Sequence, residues 1–299
     1  MGAARFLRGL CSLLDPARLT IIGNTADDDT FFGLHVSPDL DTVAYTLAGR
    51  VGAHGWGLAD DRFTALEALG RYYADTWFQL GDRDLATHIY RTDELRRGRT
   101  LSQVTAAIAA RHGVRQCLLP MSDQPVRTRV TLAGAGTIAF QDYLVHRRGR
   151  GRVRGVRYAG ARQARPAPGV LAALRTADAV ILPPSNPIVS IGPILALPGV
   201  RGALRRHRRV AAVTPLVRGL PIKGPLDRML RGMGHEVSAV GVAELYRDIV
   251  DVFVLDQRDA ALAPRIAALG MRPVVTDTIM RSPAQSRALA RVVLAALDA

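Results

Sequence analysis

Cysteine is nearly absent: Cys11 and Cys117 are the only two, far apart and without a C-x-x-C spacing. That excludes a disulfide framework and a cysteine-built metal knuckle, and leaves buried thiols as the default expectation. Lysine is scarcer still, with Lys223 alone, so almost all of the positive charge is arginine. Aromatic residues make up only 5% of the chain, and they do not interleave with the arginines as base-stacking platforms require. No run of eighteen or more uncharged apolar residues occurs, and the N-terminus lacks the basic, apolar and small-residue order of a signal peptide. A membrane partner is therefore not expected, and a cytoplasmic location is.

What is present is an ordinary core: 299 residues with 48% apolar side chains. This suffices for one large α/β domain or two smaller ones, and a single domain over residues 1–299 is the expectation. The net charge of +14 and a pI near 11.0 raise the question of nucleic acid, because phosphate neutralisation dominates that affinity. The basic clusters, RRGRGRVRGVR at 147–157 and RRHRR at 205–209, read instead as a solvated loop and a helix end. Nucleic acid is not the expected partner, although guanidinium groups match phosphate and carboxylate on small molecules.

Short β-rich runs at 19–23, 115–119, 178–183, 209–213, 252–256 and 272–275 alternate with amphipathic stretches at 3–14, 43–50, 85–97 and 282–299. This alternation predicts a doubly wound α/β fold, a mostly parallel sheet with helices on both faces. Thr100 with Gln103 forms a capping-box pattern opening another helix that Gly113 closes. The middle differs: VRTRVTLA, a Gly-Ala-Gly turn and TIAFQDYLVH predict an antiparallel hairpin, a β insertion spanning about 126–160. A doubly wound sheet normally opens on a strand, whereas this chain enters a helix at MGAARF, so the first strand of that arrangement is expected to be missing.

The segment 24–42, NTADDDTFFGLHVSPDLDT, crowds Asp27, Asp28, Asp29, Asp39 and Asp41 beyond the strand LTIIG. Ligands of open α/β sheets bind at such strand ends. The segment reads as a cation site or as a solvated loop with N-cap aspartates. Ser37-Pro38 is a good helix start. Asp39 and Asp41 then fall in a first turn where residues two apart diverge, so only one can face a ligand. Asp41 is the choice, with Asp27 as partner for a hard cation such as Mg²⁺.

Three further loops carry polar groups. PPSNPIVSIGP at 183–193 follows AVIL. Ser185 and Ser190 could present hydroxyls, and the loop its main-chain amides, to a phosphate, with Gly192 permitting close approach and Ser190 capping a helix from Ile191, or the loop could be a Pro-stiffened connection. In LGDRDLATH, Gly81 makes a turn and Asp84 caps the next helix. Asp82 and Arg83 either pair with each other or hold a hydroxyl and an anion respectively, while His88 pairs with Asp84 or contacts a ligand. MSDQPV puts Ser122 and Asp123 at another strand end, as a substrate contact or an Asx-turn.

Together, NTADDDTFFGLHVSPDLDTVAYTLAG, LGDRDLATH, MSDQPVRT, PPSNPIVSIGPILALPGVR, PLDRML, GVAELYRDIVDVFVLD and DTIM resemble, in order, the 2-phospho-L-lactate transferase family of coenzyme F-420 biosynthesis. The resemblance runs from residue 2 to the C-terminus. It implies a Rossmann-like fold, a homodimer, and transfer of a phospholactyl, enolpyruvyl or phosphoglyceryl phosphate group from a guanosine diphosphate conjugate to the ribityl hydroxyl of the deazaflavin FO, with GMP leaving. It also implies Mg²⁺ at Asp27 and Asp41, deazaflavin contacts around Asp41, the LGDRD loop and Ser122-Asp123, and guanosine diphosphate near Asn24, Ser185, Asn186 and Ser190. On that reading Asp41 or Asp82 orients or deprotonates the hydroxyl and Arg83 balances the donor's charge. The family's opening strand and full glycine-rich loop are reduced here to Gly2-Ala3-Ala4-Arg5-Phe6. A non-catalytic nucleotide-sugar-binding regulator, similar to the gluconeogenesis-factor proteins, is the alternative.

Overall fold

The computed structural model describes residues 2–298. Helix α1 (Gly2–Cys11) leads into β1 (Thr20–Gly23). The acidic segment then folds back on itself as a hairpin, β2 (Asp29–Phe31) and β3 (Leu34–Val36), before α2 (Pro38–Leu47). The hairpin turn is Phe32-Gly33, with φ of +51° and +77°, the left-handed pair that two-residue hairpins need. Helices α3 (Thr64–Leu69), α4 (Asp82–Arg96) and α5 (Leu101–Arg111) follow, and β4 (Cys117–Pro120) returns to pair in parallel with β1. The capping box of Thr100 and Gln103 is formed as the sequence predicts.

The inserted β layer has three strands rather than a hairpin alone. β5 (Arg127–Leu132) lies between β6 (Gly136–Ala139) and β7 (Val153–Ala159), antiparallel to both. Next come β8 (Val180–Leu182), β9 (Val210–Val213), a small hairpin of β10 (Leu216–Val217) and β11 (Leu220–Pro221), then β12 (Val252–Asp256) and β13 (Arg272–Thr276). Strands β8, β9, β12 and β13 form one parallel sheet in the order 13-12-9-8. The C-terminal helix Pro283–Asp298 packs on α1; Ala299, which ends the predicted helical stretch, lies outside the described residues.

Strands β9 and β12 are buried on both faces, which is why they read as unbroken apolar runs. Ala211, Val213, Val252 and Val254 face α1 and the C-terminal helix through Phe6, Leu10, Leu289 and Val293. Their alternates, Val210, Ala212, Phe253 and Leu255, join the larger core with Leu204 and Tyr246. Each fully buried side chain of this size contributes roughly 1.5–3 kcal/mol. The parallel strands divide into two sheets, β1 with β4 and the set of four, and no ladder joins β1 to β8. Side chains tie their ends instead: Arg18 to Asp178 at the amino ends (3.1 Å) and Asn24 to the Val189 carbonyl at the carboxyl ends (3.3 Å).

Ser37-Pro38 starts α2 as its own chemistry suggests, and the amphipathic stretch at 43–50 is the continuation of that helix, which ends at Leu47. One smaller expectation is corrected. The cysteines are not buried thiols: Cys11 is half-buried and Cys117, at the start of β4, is exposed. Among the described residues no single helix is long and apolar enough to cross a membrane.

Candidate active site

Loops leaving the carboxyl ends of β1, β4 and β8 hold Asn24 and Asp27, Ser122 and Asp123, and Ser185 to Ser190 respectively. Asn24 is the joint. Its Oδ1 accepts from the Ala26 amide (2.9 Å), while Nδ2 donates to Asp39 Oδ2 (3.0 Å) and to the Val189 carbonyl (3.3 Å). One buried amide thus holds the acidic loop, the first turn of α2 and the loop after β8 together.

Asp27 is buried, its Oδ1 has no hydrogen-bond partner, and burial followed by the charge of Asp39 pushes its carboxyl well above the usual range. Burial likewise raises Asp39, although Asn24 opposes the shift. Asp28 shares the unpartnered Oδ1 and the burial-raised carboxyl, but its other oxygen is engaged: Ser37 Oγ donates to Oδ2 (2.7 Å) and His35 Nε2 lies 3.1 Å away. Ser37 therefore occupies the N-cap position without capping α2.

The carboxylate that the sequence reading assigned to Asp27 as partner, Asp41, is turned the other way. Arg91, buried to 1% exposure, grips both of its oxygens, Nη1 at 3.1 Å and Nη2 on the other. His88 lies beside them, with Nδ1 3.2 Å from Arg91 Nη1 and Nε2 3.4 Å from Asp84 Oδ2, and Asp84 also accepts from Tyr45 (2.7 Å). Burial pushes Asp84 up, but His88, Tyr45 and Arg91 outweigh it and hold the carboxyl below its ordinary value. Asp84, His88 and Arg91 recur at intervals of four and three along α4, one inward face. That spacing was the signal for Arg91, which sequence reasoning missed.

Other assignments shift for local reasons. Helix α4 starts at Asp82 with Gly81 as N-cap, so Asp84 is in its first turn and does not cap it. Asp82 accepts from the amides of Thr64 (3.3 Å) and Ala65 (2.9 Å), which hold its carboxyl low. Arg83 is exposed, and its guanidinium reaches the Ala59 carbonyl at 3.5 Å. Both are engaged with the 59–65 stretch rather than with Asp27 or Asp39. Ser122 Oγ donates to the Arg165 carbonyl (2.7 Å) and accepts from the Gln124 amide (3.0 Å); Asp123 accepts from the Ser102 amide and hydroxyl (2.6 and 2.7 Å) at the start of α5.

After β8 the chain forms a π-helical turn, Pro187–Ile191, and Asn186 caps it by accepting from the Ile188 and Val189 amides (2.9 and 3.2 Å). Ser190 lies inside that turn instead of capping a helix at Ile191, because Asn186-Pro187 supplies both cap and stop one turn earlier. Ser185 and Ser190 are half-buried. Gly192 makes room for Tyr158: a Cβ there would meet the Tyr158 hydroxyl at 2.1 Å, and that hydroxyl donates to the Ile188 carbonyl. π-Turns concentrate at functional sites.

Fold and site together define an α/β protein of the Rossmann-like class, its site set where polar loops converge beyond the carboxyl ends of parallel strands. Residues 1–295 match the model of the family described as 2-phospho-L-lactate transferase CofD, and the chain belongs to that family. A protein of Streptomyces griseus subsp. griseus named phosphoenolpyruvate transferase is 44% identical, over 98% of this chain and 95% of its own. One of Methanosarcina mazei named 2-phospho-L-lactate transferase is 39% identical, over 99% and 97%. Among solved structures, a UPF0052-family protein from Bacillus halodurans superposes with a TM-score of 0.65 at 14% identity, over 98% of this chain and 96% of that one.

Proposed function

We propose that this protein moves a phosphorylated three-carbon acid group from a guanosine diphosphate conjugate to the ribityl hydroxyl of the deazaflavin FO, releasing GMP, in coenzyme F-420 biosynthesis. The observation that carries the reading is the meeting of the acidic loop and the Asn186–Ser190 turn through Asn24, in a chain whose relatives are named for this kind of transfer. Fold likeness at 14% identity carries no activity, so the catalytic reading is preferred to a non-catalytic nucleotide-sugar-binding regulator. Homodimer assembly belongs to the same proposal.

Mg²⁺ fits beside Asp27 and Asp39. The unpartnered, buried Oδ1 of Asp27 and the raised carboxyls of both residues describe a site short of positive charge. Among the described residues no three His, Cys, Asp or Glu side chains gather, which suits a cation that takes one or two carboxylates and completes its shell with water and phosphate. When bound, Mg²⁺ supplies charge neutralisation for the diphosphate.

The chain's own groups do the rest. The Asn186–Ser190 turn and Ser185 hold the guanylate phosphates. Gly81, Asp82, Arg83, Ser122 and Asp123 border the acceptor, and Arg83 offsets donor charge. A general base works best when its proton affinity is raised toward the operating pH. Asp82 is held low by backbone amides and is engaged with the start of α3, so it is not the base; the Asp27–Asp39 pair, next to the cation, orients the hydroxyl. Asp41, paired to Arg91, keeps α2 in place.

The test is incubation of the protein with FO, Mg²⁺ and each guanylated donor, read by mass spectrometry. The enolpyruvyl donor is tried first, because relatives named phosphoenolpyruvate transferase reach 47% identity (Thermobifida fusca, over 87% of this chain and 85% of its own). No mass gain on FO with any donor would sink the reading.

A further inference from the structure

The start of α4 and the start of α3 cap each other. An α-helix leaves its first four N–H groups without intrahelical partners, and a cap side chain normally comes from the residue at the N-cap itself. At α4 that residue is Gly81, which has no side chain. Asp61 supplies the carboxylate from outside the helix: Oδ1 accepts from the Arg83 amide (2.8 Å) and Oδ2 from the Asp84 amide (3.0 Å). The contact is close enough to require glycine, since a Cβ on Gly81 would stand 2.2 Å from Asp61 Oδ2. The exchange is returned by Asp82, whose amide donates to the Arg62 carbonyl (2.7 Å) and whose carboxylate accepts from Thr64 and Ala65 at the start of α3.

This arrangement fixes where α4 begins, and everything on its inward face follows from that point. Asp84 receives the Tyr45 hydroxyl, and Arg91 binds Asp41; Tyr45 and Asp41 both lie on α2. The first turn of α2 also carries Asp39, which Asn24 holds beside Asp27. A single half-buried carboxylate in the 48–63 connection is therefore linked through α4 to the placement of the acidic pair.

We infer that Asp61 is a positioning residue for the proposed transfer: it sets the register of α4, and through Asp84 and Arg91 it holds α2 so that Asp39 stays opposite Asp27 and the Gly81–Arg83 turn stays open to the acceptor. The inference rests on the transferase reading for its functional consequence, though not for its mechanical one. It also accounts for Gly81, whose missing side chain is the space Asp61 occupies. Because Asp61 already takes the Arg83 and Asp84 amides, the first turn of α4 has less backbone to offer an anion, and donor charge falls to the Arg83 side chain.

The experiment uses Asp61→Ala, Gly81→Ser and the double variant. In the double variant a serine at the N-cap enters the space the carboxylate has left and caps α4 from its own position, which the extended backbone at Gly81 (φ −75°, ψ 158°) permits. Asp61→Ala should raise the KM for FO about tenfold, the size of one lost cap in an equilibrium constant. The KM for the guanylated donor should rise as well, because Asp39 beside the cation and the Arg83 side chain both serve donor charge in the proposed site. Gly81→Ser alone should be impaired by collision with Asp61, and the double variant should recover most of the FO affinity, a non-additive result. Unchanged KM values in Asp61→Ala, or a loss in the double variant equal to the sum of the two single losses, would overturn the inference.

Hydrogen exchange supplies a readout free of substrate. The hydrogen-bonded amides of α2 from Asp41 to Tyr45 should exchange faster in Asp61→Ala and return toward wild type in the double variant. Unchanged exchange at those amides overturns the positioning claim even if the wild type is active. A wild type that makes no product with any donor, yet shows the exchange pattern, sinks the transferase reading and leaves the linkage standing.

Discussion

Carboxylates two residues apart on a helix cannot share a direction, and the first turn of α2 shows the consequence. Asp39 meets Asn24 and Asp27, whereas Asp41 meets Arg91. Their substitutions should therefore fail differently. Asp39→Asn should lower turnover by about 10² or more if it serves the cation or the hydroxyl proton, in a protein that melts no lower than wild type in metal-free buffer at pH 7. The sign follows from linkage: Asp27 and Asp39 have raised carboxyls, so the folded chain keeps protons the unfolded chain releases, and their contribution is present below the ordinary carboxylate range and lost as pH rises through the raised values. Removing one repelling partner relieves that loss. Asp41→Asn instead leaves Arg91 buried without its counter-ion, a cost of about 3–5 kcal/mol. Scanning fluorimetry beside steady-state kinetics separates the two, and wild-type turnover in Asp39→Asn would remove that carboxylate from the site. The sequence could announce that one of the two faces the ligand but not which, because the phase of a first helical turn is set by what packs beneath it, here Arg91 on another helix.

At the scale of elements, helices are held by charges that sequence distance hides. Asp248, following the helix Ala239–Tyr246, binds Arg201 and Arg205 of the helix Val200–Arg206. Those arginines, Arg201 foremost, outweigh partial burial and lower the Asp248 carboxyl from 3.8 to about 2. Its stabilisation is present above the unfolded value and disappears as pH falls through the folded one. Melting temperatures of wild type and Asp248→Asn should therefore differ at pH 7 and converge between about pH 4 and pH 2; a constant gap across that range would show that the pair acts through packing and not charge. The RRHRR run at 205–209 is thus partly spoken for, with Arg205 on Asp248 and Arg209 on Asp298. Charge composition alone could not tell a paired helix end from a solvated one. The turn after β8 was legible as polar and glycine-bearing, but its π geometry was not, since nothing local to Pro187–Ile191 shows that Tyr158 and Asn24 hold its carbonyls from elsewhere.

The whole molecule is organised around a divided parallel sheet. Strands β9 and β12 have parallel partners on both sides, whereas among the described residues β1 pairs only with β4. Amides without a ladder partner open with little or no global unfolding. Hydrogen exchange should accordingly be slowest in Val210–Val213 and Val252–Asp256, and about 10² faster or more at the outward amides of Thr20–Gly23. Equal protection across these strands would mean that the edge of β1 is covered in solution.

Residue order by itself determined the alternation of strands and helices, the position of the β insertion and the loops that carry polar groups, because each depends on periodicity and on cap or turn chemistry within a few residues. It also carried the family, through blocks kept in order along the chain. The tertiary structure alone decided that Asp39 and not Asp41 meets Asp27, that Asp61 caps a helix whose own N-cap is glycine, and that Asn186 rather than Ser190 starts the turn after β8. The physical reason is common to all three: direction and partnership of a polar side chain depend on which distant segment is packed against it, and no local rule of spacing contains that.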